Sequence, residues 1–288
     1  MSRYLSKMQV DDYRRLGYLQ PVALLDEPRA TALRAAVIDH LAVDSTAERY
    51  ELTDDVKVGI SSRTGDNVAY VYLDEKPTVP HTLPFLFNIW RTDERFREVA
   101  FDVRIAGMAC ELLGSDEVLL MEDNVVVKMP GSGVVPWHQD LSYWPVQDPA
   151  LVTVWIALDA VDALNGAMRV IPHTQHTPEH LPVQFRDAAT FMGEFRPGVP
   201  VLPQNPESEG RAVVEYKMSP GEGGFHHPLT WHGSTPNTSA AARCAYVIRY
   251  IASGTVWYGS TRVPYEDVGC QVGDALTSQH LPLAYSAR

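Results

Sequence analysis

Hydrophobic and polar positions change period once along the chain. Near the N-terminus they repeat with helical spacing. VDDYRRLGYL is one such run, and EPRATALRAAVIDHL, from Glu27 to Leu41, is another, with Leu33, Ala36, Val37, Ile38 and Leu41 on one stripe. RFREVAFDVRIAGMACELLG, residues 95 to 114, predicts a further helix that stops at Gly114. After Gly114 the pattern becomes short β-branched runs between turn residues: EVLLMEDNVVVKM, ALVTVWIALD, GAMRVIP, RAVVEYKM, GGFHHPLTWHG and RCAYVIRYIA. Such a series predicts an antiparallel β-barrel or double-sheet sandwich. Residues 42 to 80 and 177 to 210 carry little regular pattern and are expected to be loops.

The expected organisation is a single domain over residues 1–288, helical to about 114 and a barrel from about 115. The chain shows no internal repeat, low-complexity tract or linker composition, and its 45% apolar content can fill one sizeable core.

Charge narrows the partners. With 36 acidic and 24 basic residues the net charge is -12, and no Lys/Arg cluster is available to follow a phosphate backbone, so nucleic acid is not an expected partner. The N-terminus has no uninterrupted apolar segment and no run has the length of a membrane span, so a cytoplasmic protein with no membrane partner is expected. Oligomeric state is not legible. Cys110, Cys244 and Cys270 are odd in number and widely spaced, which predicts buried reduced thiols rather than disulfides or a thiolate zinc site.

The candidate chemistry lies in PWHQDLSYW, residues 136 to 144. On a strand, His138 and Asp140 project from the same face and Gln139 from the other. A His-x-Asp pair alone is common as a solvated pair, and holding a metal requires a third ligand. FHHPLTWHG offers His226, His227 and His232. If PNTSAA is a hairpin turn centred between Asn237 and Thr238, Arg243 lies opposite His232, and Ser234 shares that face. The same register sets Arg249 opposite His226, six residues from Arg243 and roughly 20 Å away at ~3.3 Å per residue, where it is expected to make a structural ion pair.

Two histidines and one carboxylate suit octahedral non-haem Fe(II), leaving three positions for a co-substrate and dioxygen. A zinc site would want a nearby general base and has no use for a buried arginine. The planar fork of Arg243 suits a carboxylate, and an organic acid held between iron and arginine points to 2-oxoglutarate as co-substrate.

The chain resembles the phytanoyl-CoA dioxygenase family of Fe(II)- and 2-oxoglutarate-dependent oxygenases over nearly its whole length. The resemblance is carried by DDYRRLGYLQPVALLD, VKMPGSGVVPWHQDLSYWPV, LNGAMRVIPHTQH with its Asn-Gly turn, and WHGSTPNTSAAARCAYVIRY. It implies a mainly β fold with flanking α-helices, a double-stranded β-helix (jelly-roll, cupin-like) barrel. It assigns iron to His138, Asp140 and His232, the distal carboxylate of 2-oxoglutarate to Arg243 with Ser234, and the lining of the co-substrate pocket to Trp155 and Asn124. His173 and His176 read as structural or rim residues rather than ligands. Tyr143 and Trp144 read either as the floor of a substrate pocket or as core, and Lys128 either as an anion anchor or as a solvent-facing strand end. An intact Asp140 implies oxygen chemistry rather than halogenation: hydroxylation, or desaturation or cyclisation.

The implied activity is oxidation of a C–H bond of a small molecule, a secondary metabolite, with release of succinate and CO2. An acyl-CoA or lipid-like substrate is the alternative. A zinc or manganese hydrolase or isomerase on a cupin-like barrel, and a non-catalytic small-ligand-binding barrel, are the competing classes. Recognition is expected from the two unpatterned stretches acting as a lid, through Tyr70, Val71, Tyr72 and Leu73 in the first and Phe185, Phe191, Met192 and Phe195 in the second.

Overall fold

A computed structural model describes residues 3–43, 48–53, 56–60, 69–72, 85–146, 149–180, 202–203, 205–259 and 268–288. The N-terminal helix α1 (Lys7–Leu16) starts at Ser6 in a capping box with Gln9 and ends at Gly17, whose φ of 84° is the left-handed conformation that glycine adopts without strain. The chain turns there into β1 (Tyr18–Ala23) and then α2 (Glu27–Val43). Leu33, Ala36 and Val37 of the predicted stripe are buried, whereas Ile38 is 52% exposed and departs from it.

Residues 42 to 80 are not simply loop. They contain β2 (Glu48–Thr53), β3 (Val56–Ile60) and β4 (Ala69–Tyr72), an antiparallel meander continued by β5 (Phe85–Phe87). Their mixed charged and apolar content hides a period that backbone pairing to neighbouring strands supplies. Leu73 and residues 181–201, including Phe185, Phe191, Met192 and Phe195, lie outside the described residues.

The helix predicted over residues 95 to 114 is two helices, α3 (Glu94–Ala100) and α4 (Val103–Leu113). Asp102 breaks the run, because its carboxylate accepts from the amides of Arg104 and Ile105 and starts a new helix. Gly114 ends α4 in the left-handed conformation.

The remaining strands are β6 (Glu117–Lys128), β7 (Val135–His138), β8 (Leu151–Ala157), β9 (Met168–Val170), β10 (Val214–Glu215), β11 (Glu222–His226), β12 (His232–Ser234), β13 (Arg243–Ala252) and β14 (Leu283–Ser286). They form two sheets. The larger runs β1-β11-β8-β13-β6-β5-β4-β3-β2, with β14 also on β6, and the smaller runs β10-β9-β12-β7, every pair antiparallel. The fold is the mainly β, jelly-roll class expected from the sequence.

The larger sheet has two unlike faces. Tyr246, Ile248 and Tyr250 of β13, Val152, Val154 and Ile156 of β8 and Phe225 of β11 pack in the core under the helices. The opposite face looks toward the smaller sheet, where Trp155 and Val247 pack with Met168 and Val170. A bulge controls which residues of β6 reach that face: Arg249 pairs with Glu122 but Tyr250 with Leu120, so Met121 is extra. Beyond it Glu122, Asn124, Val126 and Lys128 align with Arg249, Val247, Ala245 and Arg243 on the inner face. Glu122, Asn124, Lys128, Thr153, His226 and Arg243 are all buried. So polar an inner face is costly in a core unless partners or a ligand satisfy it.

The expected β12–β13 hairpin does not form. β12 pairs with β7 and β9 in the smaller sheet, β13 with β6 and β8 in the larger, and Arg243 stands opposite Lys128 rather than His232. The reason lies in PNTSAA, whose backbone bonds elsewhere. The Asn237 amide donates to Ser132 O, the Thr238 and Ser239 amides donate to Leu164 O, and the Asn237 side chain donates to Lys128 O and Ala241 O. The segment is a crossover between sheets. Among the described residues no helix is long and apolar enough to cross a membrane.

Candidate metal centre

His138 is the last residue of β7 and His232 the first of β12, and the two are directly paired in the smaller sheet. Their ring centroids are 4.0 Å apart. Asp140 is not on the strand, as the alternation argument assumed. The chain leaves the ladder after His138 and Asp140 opens a short 3-10 turn, with the Leu141 amide bonded to Pro228 O. Its carboxylate still reaches the histidines: Oδ1 is 3.7 Å from His138 Nε2 and 3.4 Å from His232 Nε2. One ligand atom from each of His138, Asp140 and His232 lies within 4.8 Å of the others, and all three residues are buried.

The tautomers suit a metal. His138 Nδ1 is 2.8 Å from Pro136 O and His232 Nδ1 is 3.0 Å from Thr230 O, so each Nδ1 donates to a backbone carbonyl and each Nε2 keeps a lone pair facing Asp140. Burial pushes His138 down to about 3, leaving it neutral at physiological pH. Burial alone would raise Asp140, but its neighbours His232 and His226 and the charge of Arg249 outweigh it and hold the carboxyl well below its ordinary range. Two imidazole nitrogens and an ionised oxygen at one point form a donor set for a divalent cation.

At the other end of the inner face Arg243 is 3% exposed. Its guanidinium sits 5.3 Å from the Trp155 ring centroid, and Nη2 donates to Gly166 O in the Asn-Gly turn. Among the described residues Arg243 Nε, Ser234 Oγ and Asn124 Oδ1 are buried without a hydrogen-bond partner. Asn124 and Trp155 both pair with Val247 and therefore share its face. Buried polar atoms left unbonded in the interior are the expected signature of a polar ligand's place, and an anionic acid fits the arginine there.

Lys128 is not solvent-facing. It is 1% exposed, its Nζ donates to Gly133 O and to Thr235 O, and burial, with the charges of Arg243 and Arg169, pushes it down to about 7. Tyr143 and Trp144 are buried in a cluster with Leu141 and Trp257, and the Tyr143 ring meets the His138 ring edge-on at 5.8 Å. His173 and His176 lie away from the metal ligands: His173 Nδ1 meets Arg15 O and His176 Nε2 meets Gln175. Cys110 and Cys244 are buried, but Cys270 is partly exposed, against the expectation for it.

Arg249 pairs with Glu122 at 3.0 Å, the ion pair expected of it, yet it is not remote from the centre. It aligns with Thr153, which aligns with His226, and its charge is felt by Asp140. The sequence offered His226 only as a candidate third ligand, and Thr153 did not stand out in it. The available signal was that Thr153 lies two residues before Trp155 and so shares its face.

Residues 13–245 match the model of the phytanoyl-CoA dioxygenase family. The chain is 25% identical over 217 residues to a probable alpha-ketoglutarate-dependent hypophosphite dioxygenase of Stutzerimonas stutzeri, covering 73% of this chain and 72% of that protein. It is 26% identical over 177 residues to peroxisomal phytanoyl-CoA dioxygenase of Bos taurus, covering 59% of this chain and 50% of that one. Among solved structures, the non-heme alpha ketoglutarate dependent carbocyclase SnoK from nogalamycin biosynthesis superposes with a TM-score of 0.69 at 22% identity, covering 97% of this chain and 96% of that one.

Proposed function

The chain belongs to the phytanoyl-CoA dioxygenase family of Fe(II)- and 2-oxoglutarate-dependent oxygenases, and from that premise we propose that it oxidises a C–H bond of a small secondary metabolite, with release of succinate and CO2. The observation that carries this reading is the buried cluster of His138, Asp140 and His232, with Arg243 on the inner face of the larger sheet holding an unbonded Nε. In it, His138, Asp140 and His232 hold the iron, and Arg243 and Ser234 take the distal carboxylate of 2-oxoglutarate. Trp155 and Asn124 line the co-substrate's place.

When bound, the iron with 2-oxoglutarate and dioxygen supplies the oxidising power for C–H cleavage. The protein's part is binding and shielding. His138 and His232 present lone pairs because the carbonyls of Pro136 and Thr230 fix their rings. Arg243 stays positive in its buried place, since burial lowers it only to about 10, and its planar guanidinium lies 5.3 Å from the Trp155 ring centroid. Tyr143, edge-on to His138, and the buried cluster it shares with Trp144 exclude water on that side.

The relation in fold to a carbocyclase of nogalamycin biosynthesis supports a metabolite substrate and keeps cyclisation and desaturation beside hydroxylation as outcomes. An acyl-CoA is the less favoured substrate, because its phosphates would meet a chain of net charge -12. Residues 1–288 are proposed to form one oxygenase domain. Anaerobic iron loading, followed by assays of 2-oxoglutarate consumption across a library of candidate metabolites, tests the proposal. Substrate-dependent succinate formation supports it, and hydrolysis or isomerisation without succinate refutes it.

A further inference from the structure

Asp140 has two carboxylate oxygens in different surroundings. Oδ1 faces the Nε2 atoms of His138 and His232. Oδ2 points the other way, where Thr153 Oγ1 donates to it at 2.9 Å and His226 Nε2 lies 3.2 Å from it. Geometry fixes the His226 tautomer. Among the described residues its Nδ1 is buried without a partner. A proton on Nδ1 would be a buried unpaired donor and would leave two lone pairs facing each other across 3.2 Å. The proton is therefore on Nε2, and Oδ2 receives two hydrogen bonds.

A carboxylate oxygen has about two lone-pair directions, so two donors occupy Oδ2 and leave Oδ1 as the free ligand atom. We propose that Thr153 and His226 are positioning residues that restrict Asp140 to a single metal bond through Oδ1. The inference rests on the iron reading above. Its consequence is that three metal positions stay open, two for the keto acid and one for dioxygen; a carboxylate free to turn and chelate would take one of them. The two residues come from neighbouring strands, β8 and β11, whose register sets Thr153 beside His226. The clamp is thus built into the larger sheet, while both histidine ligands belong to the smaller one.

The test uses the full chain under anaerobic conditions, with Thr153→Val, His226→Phe and the double variant beside His138→Ala. Fe(II) affinity is expected to fall in each clamp variant and by about 10- to 100-fold in the double, the range for lost partners of metal ligands. The visible band of the complex with 2-oxoglutarate should also shift in energy, which a merely structural role would not cause. His226→Gln, whose amide nitrogen can occupy the Nε2 position, and Thr153→Ser should restore both readouts. If His226→Phe does not fold, the near-isosteric Thr153→Val carries the test alone. Wild-type affinity and an unshifted band in folded clamp variants, with iron lost in His138→Ala, overturn the clamp only. Iron retained in every variant, His138→Ala included, overturns the metal assignment beneath it.

Discussion

Replacing Arg243 by alanine removes the guanidinium assigned to the co-substrate's distal carboxylate, and the structure sets the expected size of the loss. Arg243 is 3% exposed, so a carboxylate beside it is desolvated, and of its donors Nη2 is engaged by Gly166 O while Nε is unbonded. Breaking a buried ion pair costs on the order of 3–5 kcal/mol, or roughly two to three and a half decades in Kd at about 1.4 kcal/mol per decade. The lower end is expected here. Lys128 stands directly opposite Arg243 in the ladder, and after burial the charge of Arg243 is what most lowers its pKa, so losing Arg243 makes the Lys128 ammonium more available to the ligand. A roughly 100-fold rise in the 2-oxoglutarate Kd is predicted, with about tenfold more in the Arg243→Ala/Lys128→Met double variant. Anaerobic titration of the iron-loaded protein reads both, with iron affinity measured separately. Arg249→Ala, at the far end of β13 and paired with Glu122, should change the co-substrate Kd by only a few-fold. A change below tenfold in Arg243→Ala, or a parallel loss of iron, would refute the reasoning.

Gly166→Ala should weaken 2-oxoglutarate and the fold together. At φ 83° any other L-residue costs about 1–2 kcal/mol, and the added Cβ would meet Lys128 Cδ at 2.4 Å beside the carbonyl that Arg243 uses; unchanged Tm and unchanged titration would contradict this. His227 gives a pH dependence with a definite sign. Burial first, then His176 and His226, depress it to about 4, so between about 6.5 and 4 the unfolded chain takes a proton that the folded one refuses, and stability falls as pH falls through that window. The loss is at most about 3 kcal/mol, and it ends below pH ~4, where both states are protonated. His227→Asn, which can still accept the Leu229 amide, should flatten the slope of denaturation free energy over pH 4.5 to 6.5 by up to about 1.4 kcal/mol per unit, and an unaltered slope would exclude His227 as its source.

How far the site was legible follows from which contacts are local. The separation of His138 and Asp140 by one residue, and the helical and β-type periods around them, are properties of short segments, and the structure brings both residues to His232. Helices α1 and α2 were legible for the same reason. The partner of β13 was not, because sheet membership is decided by residues far apart in sequence: PNTSAA reads as a turn, but its amides find Ser132 and Leu164 and carry the chain across to the other sheet. Nor was the inward set of β6, since one extra residue at Met121 reverses which residues face in, and no residue type announces it. That single shift sends Lys128 into the interior and aligns Glu122 with Arg249. The partners of Asp140 on Thr153 and His226 depend on the same long-range register.

Central to the account is that His138, Asp140 and His232 hold iron beside a keto acid. Anaerobic addition of Fe(II) and then 2-oxoglutarate to the purified chain should produce a weak visible charge-transfer band, and His138→Ala, Asp140→Ala and His232→Ala should each abolish it along with tight iron binding. A band of wild-type position and intensity in any of the three, with iron still bound, would contradict the assignment.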